Sequence, residues 1–381
     1  MVESAVTREK LAPFIKWAGG KEQELKHILP LVPPFDEYYE PFVGGGAVFF
    51  SVAAHRAFIN DKSPELVNLY RMIARQDEAF FLTLDTLAQG WQAISHLVDG
   101  HTIDLLALYK DSTSERKPAR DGGTLLAFLR QRRSLLEGLF DMLLPQESQH
   151  FLRELERNLT GKTRRTKMLE QRKGSLPDAD ILANLESALK SAFYMHLRYL
   201  YNHAPELALS PGCAAAIFFF VRENAYASMF RYNRRGEFNV PYGGISYNRK
   251  DVARKIAFMR SPDLYEYLRN TVIEQMDFEQ FLLCYPPRAR DLIFLDPPYD
   301  SEFSTYARNT FDMRDQQRLA HYLLHECRAQ FMLVIKRTQA IYDLYRQPGI
   351  FIRSFDKKYM VSFQDRNNRE AEHLIITNYP V

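Results

Sequence analysis

The feature that most constrains the fold of this chain is a strand–turn–helix–strand pattern near the start of the sequence, which resumes near its end. The strand-like run 37–43 enters three glycines, residues 47–54 favour a helix, and Ala57-Phe-Ile-Asn60 is a second short strand. Apolar runs after Asp291 predict further buried strands, at 292–295, 330–335 and 373–377. This alternation is typical of an open α/β sheet with helices on both faces.

The middle of the chain is predicted to be helical. Asp61 and Asp296 are 235 positions apart, which is too far for one crossover connection. Leucines recur at helical spacing over 182–200. We therefore predict two halves of one sheet, residues 1–74 and 261–381, with a mostly helical insertion at 75–260.

Two segments of this middle region favour linkers, 111–123 and 158–178. The second contains a basic stretch, 162–173, in which Glu170 is the one acid. Such a charge run is typical of a solvated loop, and the alternative is contact with phosphate groups.

Composition excludes several classes of protein. With 46% apolar and 13% aromatic residues the chain can bury a large core, which excludes global disorder. The longest apolar run, 214–221, is far shorter than the roughly 20 residues that span a bilayer, and residues 1–10 show no secretory signal. The three cysteines are 71 and 43 residues apart and the ten histidines form no HExxH motif, so no metal site is predicted. We therefore expect a cytoplasmic protein without a membrane partner.

The segment Asp296-Pro-Pro-Tyr299 directly follows the apolar strand 292–295. Side chains at the carboxyl end of such a strand face the ligand crevice of an open α/β sheet. The Asp296 carboxylate and the Pro297 carbonyl offer two hydrogen-bond acceptors, and the tyrosine ring offers a stacking face. A planar amino group on a flat base needs this combination. The same residues also suit a strand end with a rigid Pro-Pro turn.

Three segments near the start of the chain favour a ligand site beside Asp296-Pro-Pro-Tyr299. The glycines in Phe42-Val-Gly-Gly-Gly46 let the backbone approach a cofactor closely. Asp61 follows the second strand, where an acid binds ribose hydroxyls in dinucleotide folds, although it also suits a helix N-cap, for which Ser63 competes. Trp17 and Lys21 suit a zwitterionic ligand or, alternatively, a surface turn.

A basic and aromatic segment spans residues 226–244. Asn233 and Gly236 suit the turn of a hairpin. Arginine binds guanine with two hydrogen bonds and apolar side chains contact the thymine methyl group, so such a hairpin suits the major groove of DNA. The arginines of the segment are Arg231, Arg234 and Arg235.

These segments stand together in the order of one family, and the chain resembles the D12 class of DNA adenine-N6 methyltransferases, the Dam family. The motifs that carry the resemblance are 16–21, 40–46, Asn60-Asp61, 231–243 and 296–299. The resemblance covers both α/β ends and residues near 185–300, but not about 75–180. It implies a Rossmann-like S-adenosylmethionine-dependent methyltransferase sheet with an inserted, mostly helical target-recognition domain that carries a DNA-reading hairpin near 226–249.

The resemblance also implies roles for individual residues at the sheet. The target adenine would bind in a catalytic pocket formed by Asp296, Pro297, Pro298 and Tyr299. The methyl donor would be S-adenosylmethionine, without a metal. Trp17 and Lys21 would hold its methionine end and Asp61 its ribose. The residues implied to bind the cofactor are Trp17, Lys21, Phe42, Gly44, Gly46, Asp61, Asp277, Phe278 and Asp296.

The implied chemistry agrees with that of the residues. The adenine must be flipped out of the duplex to be reached. Asp296 and the Pro297 carbonyl then accept both N6 hydrogens while Tyr299 stacks on the ring, and the methyl group moves in line without a covalent nucleophile.

For the hairpin, the resemblance implies sequence-specific DNA contacts. Arg231 would read a guanine, Met229 and Pro241 would contact bases, and Tyr226 would flank the gap left by the target base. GATC is the expected target, although the basic residue that follows the Pro-aromatic-Gly of GATC readers is delayed here to Arg249. The residues implied to contact DNA are Tyr226, Met229, Arg231, Arg234, Arg235 and Pro241.

The expected partner is double-stranded DNA, with a cognate restriction enzyme as a second partner. The chain is expected to be a monomer or weak dimer, encoded by a bacterium or a phage. One alternative keeps the methyl transfer but changes the substrate to RNA, cytosine N4 or a protein amide, and another is an inactive DNA-binding relative. The hairpin favours duplex DNA, and the presence of Lys21, Asp61 and Asp296 favours an active enzyme.

Overall fold

The computed structural model describes residues 11–17, 19–112, 125–131, 147–298, 311–358 and 370–381. Contacts within the chain divide it into two compact units. The first, here called the sheet unit, comprises Met1–Gln76 and Phe258–Val381, and the second, the helical unit, comprises Asp77–Ala257.

Within the described residues, seven strands form one sheet in the sheet unit. Their order is β3-β2-β1-β4-β5-β7-β6. The first five strands run parallel, and β7 is antiparallel to both β5 and β6. The predicted Rossmann-like α/β fold is therefore confirmed. The strands are β1 (Tyr38–Glu40), β2 (Ala57–Asn60), β3 (Thr271–Glu274), β4 (Leu292–Leu295), β5 (Gln330–Lys336), β6 (Phe351–Lys358) and β7 (Glu370–Thr377).

Two of these strands, β3 and β6, were not predicted from the sequence. Both lie at the edges of the sheet, where one side of a strand has no neighbour. Every residue of β3 is only partly buried, and β6 carries Arg353, Asp356 and Lys357. Edge strands of this kind lack the continuous apolar run that marks a central strand such as β4, which is buried throughout.

The strand order creates a switch point between β1 and β4. These strands pair in parallel, with Tyr38 opposite Leu292 and Tyr39 opposite Ile293. The chain leaves β1 toward β2 on one side and leaves β4 toward β5 on the other. In open α/β sheets, ligands bind outside the carboxyl ends of the strands at such a reversal. Asp296 lies at this position, directly after β4.

Helices cover the sheet and form most of the helical unit. Helix α3 begins after Ser63, whose hydroxyl accepts a hydrogen bond from Leu66 N at 3.3 Å. The helices are α1 (Leu25–Ile28), α2 (Ala47–Val52), α3 (Pro64–Ala74), α4 (Glu78–Gly100), α5 (Thr102–Asp111), α6 (Leu125–Gln131), α7 (Ser148–Lys173), α8 (Asp178–Asn202), α9 (Pro211–Asn224), α10 (Ala253–Met259), α11 (Pro262–Arg269), α12 (Phe278–Cys284), α13 (Met313–His321) and α14 (Gln339–Tyr345).

The predicted linker at 158–178 is wrong, because α7 continues to Lys173 and only 174–177 connect it to α8. The inner face of α7 is narrow, with Phe151, Leu155 and Leu159 buried. Because there are so few apolar positions among many charged residues, the sequence shows no clear helical period here. The basic stretch 162–173 is therefore helical, and the solvated loop predicted for it is wrong. Of the other predicted linker, residues 113–123 lie outside the described residues.

Candidate active site and DNA-reading hairpin

An ion pair joins two predicted site residues at the carboxyl edge of the sheet. Lys21 Nζ binds the Asp296 carboxylate and also donates to the Gly19 carbonyl at 3.1 Å. The Lys21 side chain is only 3% exposed, whereas that of Asp296 is 18% exposed. Lys21 is therefore part of the interior of the site, and the alternative of a surface turn is wrong for it.

Glu40, the last residue of β1, adds a second buried carboxyl group beside this pair. Its side chain accepts a hydrogen bond from the Tyr38 hydroxyl at 2.6 Å. Burial, together with the negative charge of Asp296, raises the pKa of Glu40 well above its usual range, although Tyr38 and Lys21 partly oppose the shift. A neutral Glu40 leaves Asp296 as the carboxylate that pairs with Lys21. The sequence motif contained Glu40 but did not indicate this role.

Asp61 connects the end of β2 to the glycine turn. One carboxylate oxygen accepts from Gly44 N at 3.1 Å and the other accepts from Ser63 N at 2.9 Å. Burial raises the pKa of Asp61 to about 6, although these backbone donors oppose the shift. Because Ser63 caps α3, the alternative in which Asp61 is the helix N-cap is wrong.

The glycine turn is closely packed by side chains of the same unit. Gly44 and Gly46 have φ angles of +51° and +75°. A Cβ atom at Gly44 would lie 2.9 Å from Trp17 Cδ1, and one at Gly46 would lie 2.6 Å from the Tyr70 hydroxyl oxygen. The turn thus requires glycine for both its conformation and its packing, and it holds the indole of Trp17 against the edge of the sheet.

Asn60, which is buried, fixes the loops that leave β1 and β3. Its side-chain nitrogen donates to the carbonyls of Pro41 at 3.0 Å and Met276 at 3.1 Å. Its oxygen accepts from Met276 N at 3.0 Å. These three hydrogen bonds hold the segments that carry Phe42 and Asp277, so Asn60 is a positioning residue that the motif did not reveal.

Asp277 lies after β3, where its carboxylate caps α12 and binds two basic residues. Arg318 Nη2 is 2.7 Å from one carboxylate oxygen and Lys62 Nζ is 3.3 Å from the other. Burial favours a higher pKa for Asp277, but the hydrogen bonds from Arg318 and Glu279 N shift that pKa below its usual value. No sequence motif pointed to Arg318, which is 41 residues away.

The other predicted residues of the sheet unit occupy the same edge. The Phe278 ring is buried, with its centroid 5.6 Å from that of Phe42. Pro297 is buried and Pro298 is exposed. Tyr299 lies outside the described residues, so its stacking role stays a prediction. The fold therefore gathers Trp17, Lys21, Phe42, Gly44, Gly46, Asp61, Asp277, Phe278 and Asp296 at the carboxyl ends of β1 to β4.

The predicted hairpin is present in the helical unit. Tyr232 and Phe238 form an antiparallel bridge, as do Ala225 and Tyr242. The turn closes with Gly236 N donating to the Asn233 carbonyl at 2.9 Å, and Gly236 has a φ of +78°. The predicted turn residues are thus confirmed.

Most of the predicted DNA-contacting side chains lie on the exposed part of this hairpin. Arg234 and Arg235 are exposed at its tip, Pro241 is also exposed, and Met229 is half-buried. Tyr226 is 49% exposed and precedes two residues with positive φ, Ala227 at +50° and Ser228 at +52°. This strained kink is of the kind that accumulates at functional sites.

Arg231 differs from the other predicted DNA-contacting residues because its side chain spans the hairpin; like Met229 it is half-buried. Its Nε donates to Asn239 Oδ1 at 2.8 Å. This hydrogen bond orients the guanidinium group. Asn239 is thus a second positioning residue that the sequence did not indicate.

Helix α8 supports the hairpin from below. The Tyr194 hydroxyl donates to the Val240 carbonyl at 2.9 Å, and Asn202 exchanges two hydrogen bonds with the Phe238 backbone, at 3.0 and 2.8 Å. On the same helix, the buried Lys190 pairs with Glu186 at 3.0 Å and also donates a hydrogen bond to the Asn248 carbonyl. The hairpin is therefore attached to a rigid element along its length.

Within the described ranges, the structure has neither a candidate metal site nor a helix that could span a membrane. No group of three or more His, Cys, Asp and Glu side chains there is placed to hold a metal ion. No helix in the same ranges is long and apolar enough to cross a membrane.

The sequence is similar to several methyltransferases. It is 24% identical over 378 residues to the Type II methyltransferase M.CviBI of Paramecium bursaria Chlorella virus NC1A, covering 97% of this chain and 100% of that protein. It is 26% identical over 317 residues to the Type II methyltransferase M1.LlaDCHI of Lactococcus lactis subsp. cremoris, covering 81% and 75%. A DNA adenine methylase of Serratia marcescens is 22% identical over 355 residues, covering 90% of each chain.

The family model of the D12 class N6 adenine-specific DNA methyltransferases matches residues 17–95 and 170–361. These ranges include the glycine turn, the hairpin and Asp296. They omit residues 96–169, which contain α5, α6 and most of α7. Because the match covers most of the sequence, the chain belongs to the D12 class of N6 adenine-specific DNA methyltransferases.

Proposed function

We propose that this enzyme transfers the methyl group of S-adenosylmethionine to N6 of an adenine that is flipped out of duplex DNA. The observation that carries the proposal is the Lys21–Asp296 ion pair directly after β4, at the switch point of the sheet. This places an oriented carboxylate where a ligand of an open α/β sheet binds.

The residues at the edge of the sheet suit S-adenosylmethionine. Both Asp61 oxygens accept backbone hydrogen bonds, and with about four lone-pair positions the carboxylate retains capacity to accept another from a ribose hydroxyl. Trp17 and Lys21, with an aromatic face and a cation, suit the methionine end, and Asp277 and Phe278 suit the adenine end. When bound, the cofactor supplies an electrophilic methyl group on its sulfonium.

The chain's own groups would prepare the adenine as acceptor. Asp296 and the Pro297 carbonyl would accept hydrogen bonds from the two N6 hydrogens, which turns the nitrogen lone pair out of the ring plane, and Tyr299 would stack on the base. As the N6–methyl bond forms, the methyl–sulfur bond breaks and leaves a neutral thioether, and N6 releases one proton, for which the Asp296 carboxylate is an acceptor. Lys21 holds the Asp296 carboxylate in place. The buried Glu40 lies close enough to both groups for their charges to affect its pKa. Positioning and electrostatics of this kind supply the catalysis, without a covalent intermediate.

The hairpin supports site-specific recognition of duplex DNA, and GATC is the first target to test. Arg249, the delayed basic residue, binds Asp99 at 2.8 Å and Glu186 at 3.2 Å. These ion pairs hold the Arg249 side chain within the helical unit. The test therefore includes target sequences other than GATC. The Type II relatives support a role beside a restriction enzyme that cuts the same site.

The proposal is tested by incubating the full chain with labelled S-adenosylmethionine and duplex DNA, followed by mapping of the modified base. N6-methyladenine at one short site is the expected product and names the target. Methylated cytosine N4, or label that appears only on RNA or a protein amide, would replace the proposed substrate. Cofactor binding without any transfer would indicate an inactive DNA-binding relative.

Cofactor binding should depend on pH through Asp61. Its pKa of about 6 means that its carboxylate is ionised at pH 7 and largely protonated at pH 5, where it accepts hydrogen bonds poorly. If only the ionised form binds, the Kd for S-adenosylmethionine rises roughly tenfold between pH 7 and pH 5. Calorimetric titration measures this change. Asp61→Asn should bind weakly at both pH values, and a wild-type Kd that is unchanged at pH 5 would contradict the ribose role.

Specificity should depend on Arg231. Arg231→Ala is expected to lose ~1–3 kcal/mol of discrimination at one base pair of the target, because the oriented guanidinium would read one guanine. The measurement is the methylation rate on the mapped site and on its single-base variants. Arg234→Ala, at the exposed tip of the hairpin, is the matched control. It should lower the methylation rate by the same factor on all duplexes. An equal loss for all duplexes in Arg231→Ala would make Arg231 a phosphate contact instead.

A further inference from the structure

We propose that the exposed side of α7 binds the phosphate backbone of DNA that flanks the methylated site. This side, here called the basic face, consists of Arg153, Arg157, Arg164, Arg165 and Arg172. The inference rests on the proposed function, since it assigns a second contact to the same DNA substrate. It concerns a helix that lies mostly outside the segments matched by the family model.

The basic face is a continuous exposed stripe. All five arginines are exposed. With 3.6 residues per turn they lie within about 120° of the helix circumference, and from Arg153 to Arg172 they extend over about 28 Å. That length corresponds to roughly eight base pairs of duplex, along which there is one phosphate per ~1.7 Å.

From residue 158 onward, acids do little to neutralise the stripe. Between 158 and 173 the only acid is Glu170, against six basic residues. The Glu170 carboxylate accepts from the Tyr109 hydroxyl at 2.7 Å and from Leu176 N at 3.2 Å, so it is engaged inside the unit. The other two acids of α7 lie near its start. Glu154 pairs with Arg157 at 2.6 Å and offsets that one charge, and Glu156 is exposed.

The basic face begins beside the hairpin. Helix α7 packs along α8, with Ser191 Oγ donating to Asn158 Oδ1 at 2.8 Å. Arg198 on α8 donates to the Val240 carbonyl of the hairpin at 3.1 Å. The ring of its neighbour Tyr199 stacks on that of His150, in the first turn of α7, with the centroids 3.9 Å apart. A duplex bound at the hairpin would therefore have the basic face along its flank, on the same unit.

The chemistry of the face favours a nucleic acid backbone over a protein. A protein interface needs an apolar centre. On the exposed side of α7, which the structure describes throughout, only two large apolar residues are exposed, Met168 at 40% and Leu169 at 38%, which is too few to form such a centre. Guanidinium groups in a row match a row of phosphates by charge and by paired hydrogen bonds.

The test compares binding of the full chain to two duplexes that carry the mapped adenine site at their centre, one of 12 and one of 30 base pairs. The test variant is Arg153→Gln/Arg164→Gln/Arg172→Gln, since glutamine keeps helix propensity. The matched control is Arg56→Gln/Arg269→Gln/Arg290→Gln. It removes the same charge from exposed arginines that precede β2, β3 and β4, at the opposite edge of the sheet from the site. Thermal unfolding confirms that each variant is folded.

The wild type and the control should bind the 30-base-pair duplex more tightly than the 12-base-pair duplex, with a steep salt dependence. In the test variant the preference for the long duplex should fall roughly tenfold, and the slope of log K against log salt should decrease by about 3, one for each lost phosphate contact. An unchanged preference and slope would overturn the proposal, and the face would then be solvated or bind a protein. If no methylated adenine site can be mapped, the proposed function is rejected instead, and binding to duplexes of the same two lengths still tests the basic face.

Discussion

Replacing Asp296 with alanine should abolish methyl transfer. The carboxylate is the acceptor that would hold one N6 hydrogen of the adenine, and Lys21 fixes its orientation. Removing one preorganised electrostatic partner of a reacting group lowers kcat by roughly 10²- to 10³-fold, and we expect at least this loss. The measurement is single-turnover methyl transfer at saturating DNA and cofactor. Wild-type-like turnover in this variant would reject the catalytic assignment.

The same substitution should also lower stability, because Lys21 is buried. Removing one partner of a buried ion pair costs up to ~3–5 kcal/mol when the other charge has no replacement. The neighbouring Glu40 offers one, since ionisation of its buried carboxyl would supply a counter-charge, so we expect a loss nearer to 2 kcal/mol, on the order of a weakened pair.

A double variant separates the two effects. Lys21→Met/Asp296→Ala removes both charges and should recover much of the unfolding free energy that Asp296→Ala loses. It should not recover methyl transfer. Recovery of both would show that Asp296 acts only through folding.

Replacing Gly46 with alanine should destabilise the sheet unit strongly. The residue has a φ of +75°, and a Cβ atom there would lie 2.6 Å from the Tyr70 hydroxyl oxygen and 2.9 Å from Phe50 Cε2. The left-handed conformation costs a non-glycine residue ~1–2 kcal/mol, and overpacking a core adds ~1–3 kcal/mol. We expect a loss of unfolding free energy of about 3 kcal/mol, measured by denaturant titration.

Gly349→Ala is the matched control for this substitution. Gly349 has a φ of +85°, but no atom lies within 4 Å of its Cβ position. It should therefore lose only the conformational cost of ~1–2 kcal/mol. Equal losses in the two variants would show that the contacts with Tyr70 and Phe50 add nothing, and that the turn needs glycine for its conformation alone.

Local sequence pattern was sufficient for much of the site. The short strands 57–60 and 292–295, the glycine turn and the hairpin turn at Asn233 and Gly236 were all predicted, because strand runs and turn residues act over a few neighbouring positions. Where the pattern was thin, prediction failed. The half-buried β3 was missed, and residues 158–173 of the charged helix α7 were taken for part of a linker.

Residues in a motif were easier to find than their roles. Glu40 and Asn60 both stood in predicted segments, but their functions depend on groups far along the chain. The same is true of Asp61, for which ribose binding and N-capping were equally good from the sequence. The Ser63 hydroxyl on Leu66 N and the Asp61 contact with Gly44 N excluded the cap.

By itself, the sequence determined the fold class, the family and the residue types at the site, since each depends on local order along the chain. Only the tertiary structure decided which of those residues meet. Lys21 and Asp296 are 275 positions apart and become partners because β1 and β4 are neighbours in the sheet. Arg318 reaches Asp277, 41 positions away, for the same reason: packing of strands and helices sets this distance, and charge or polarity in the sequence does not.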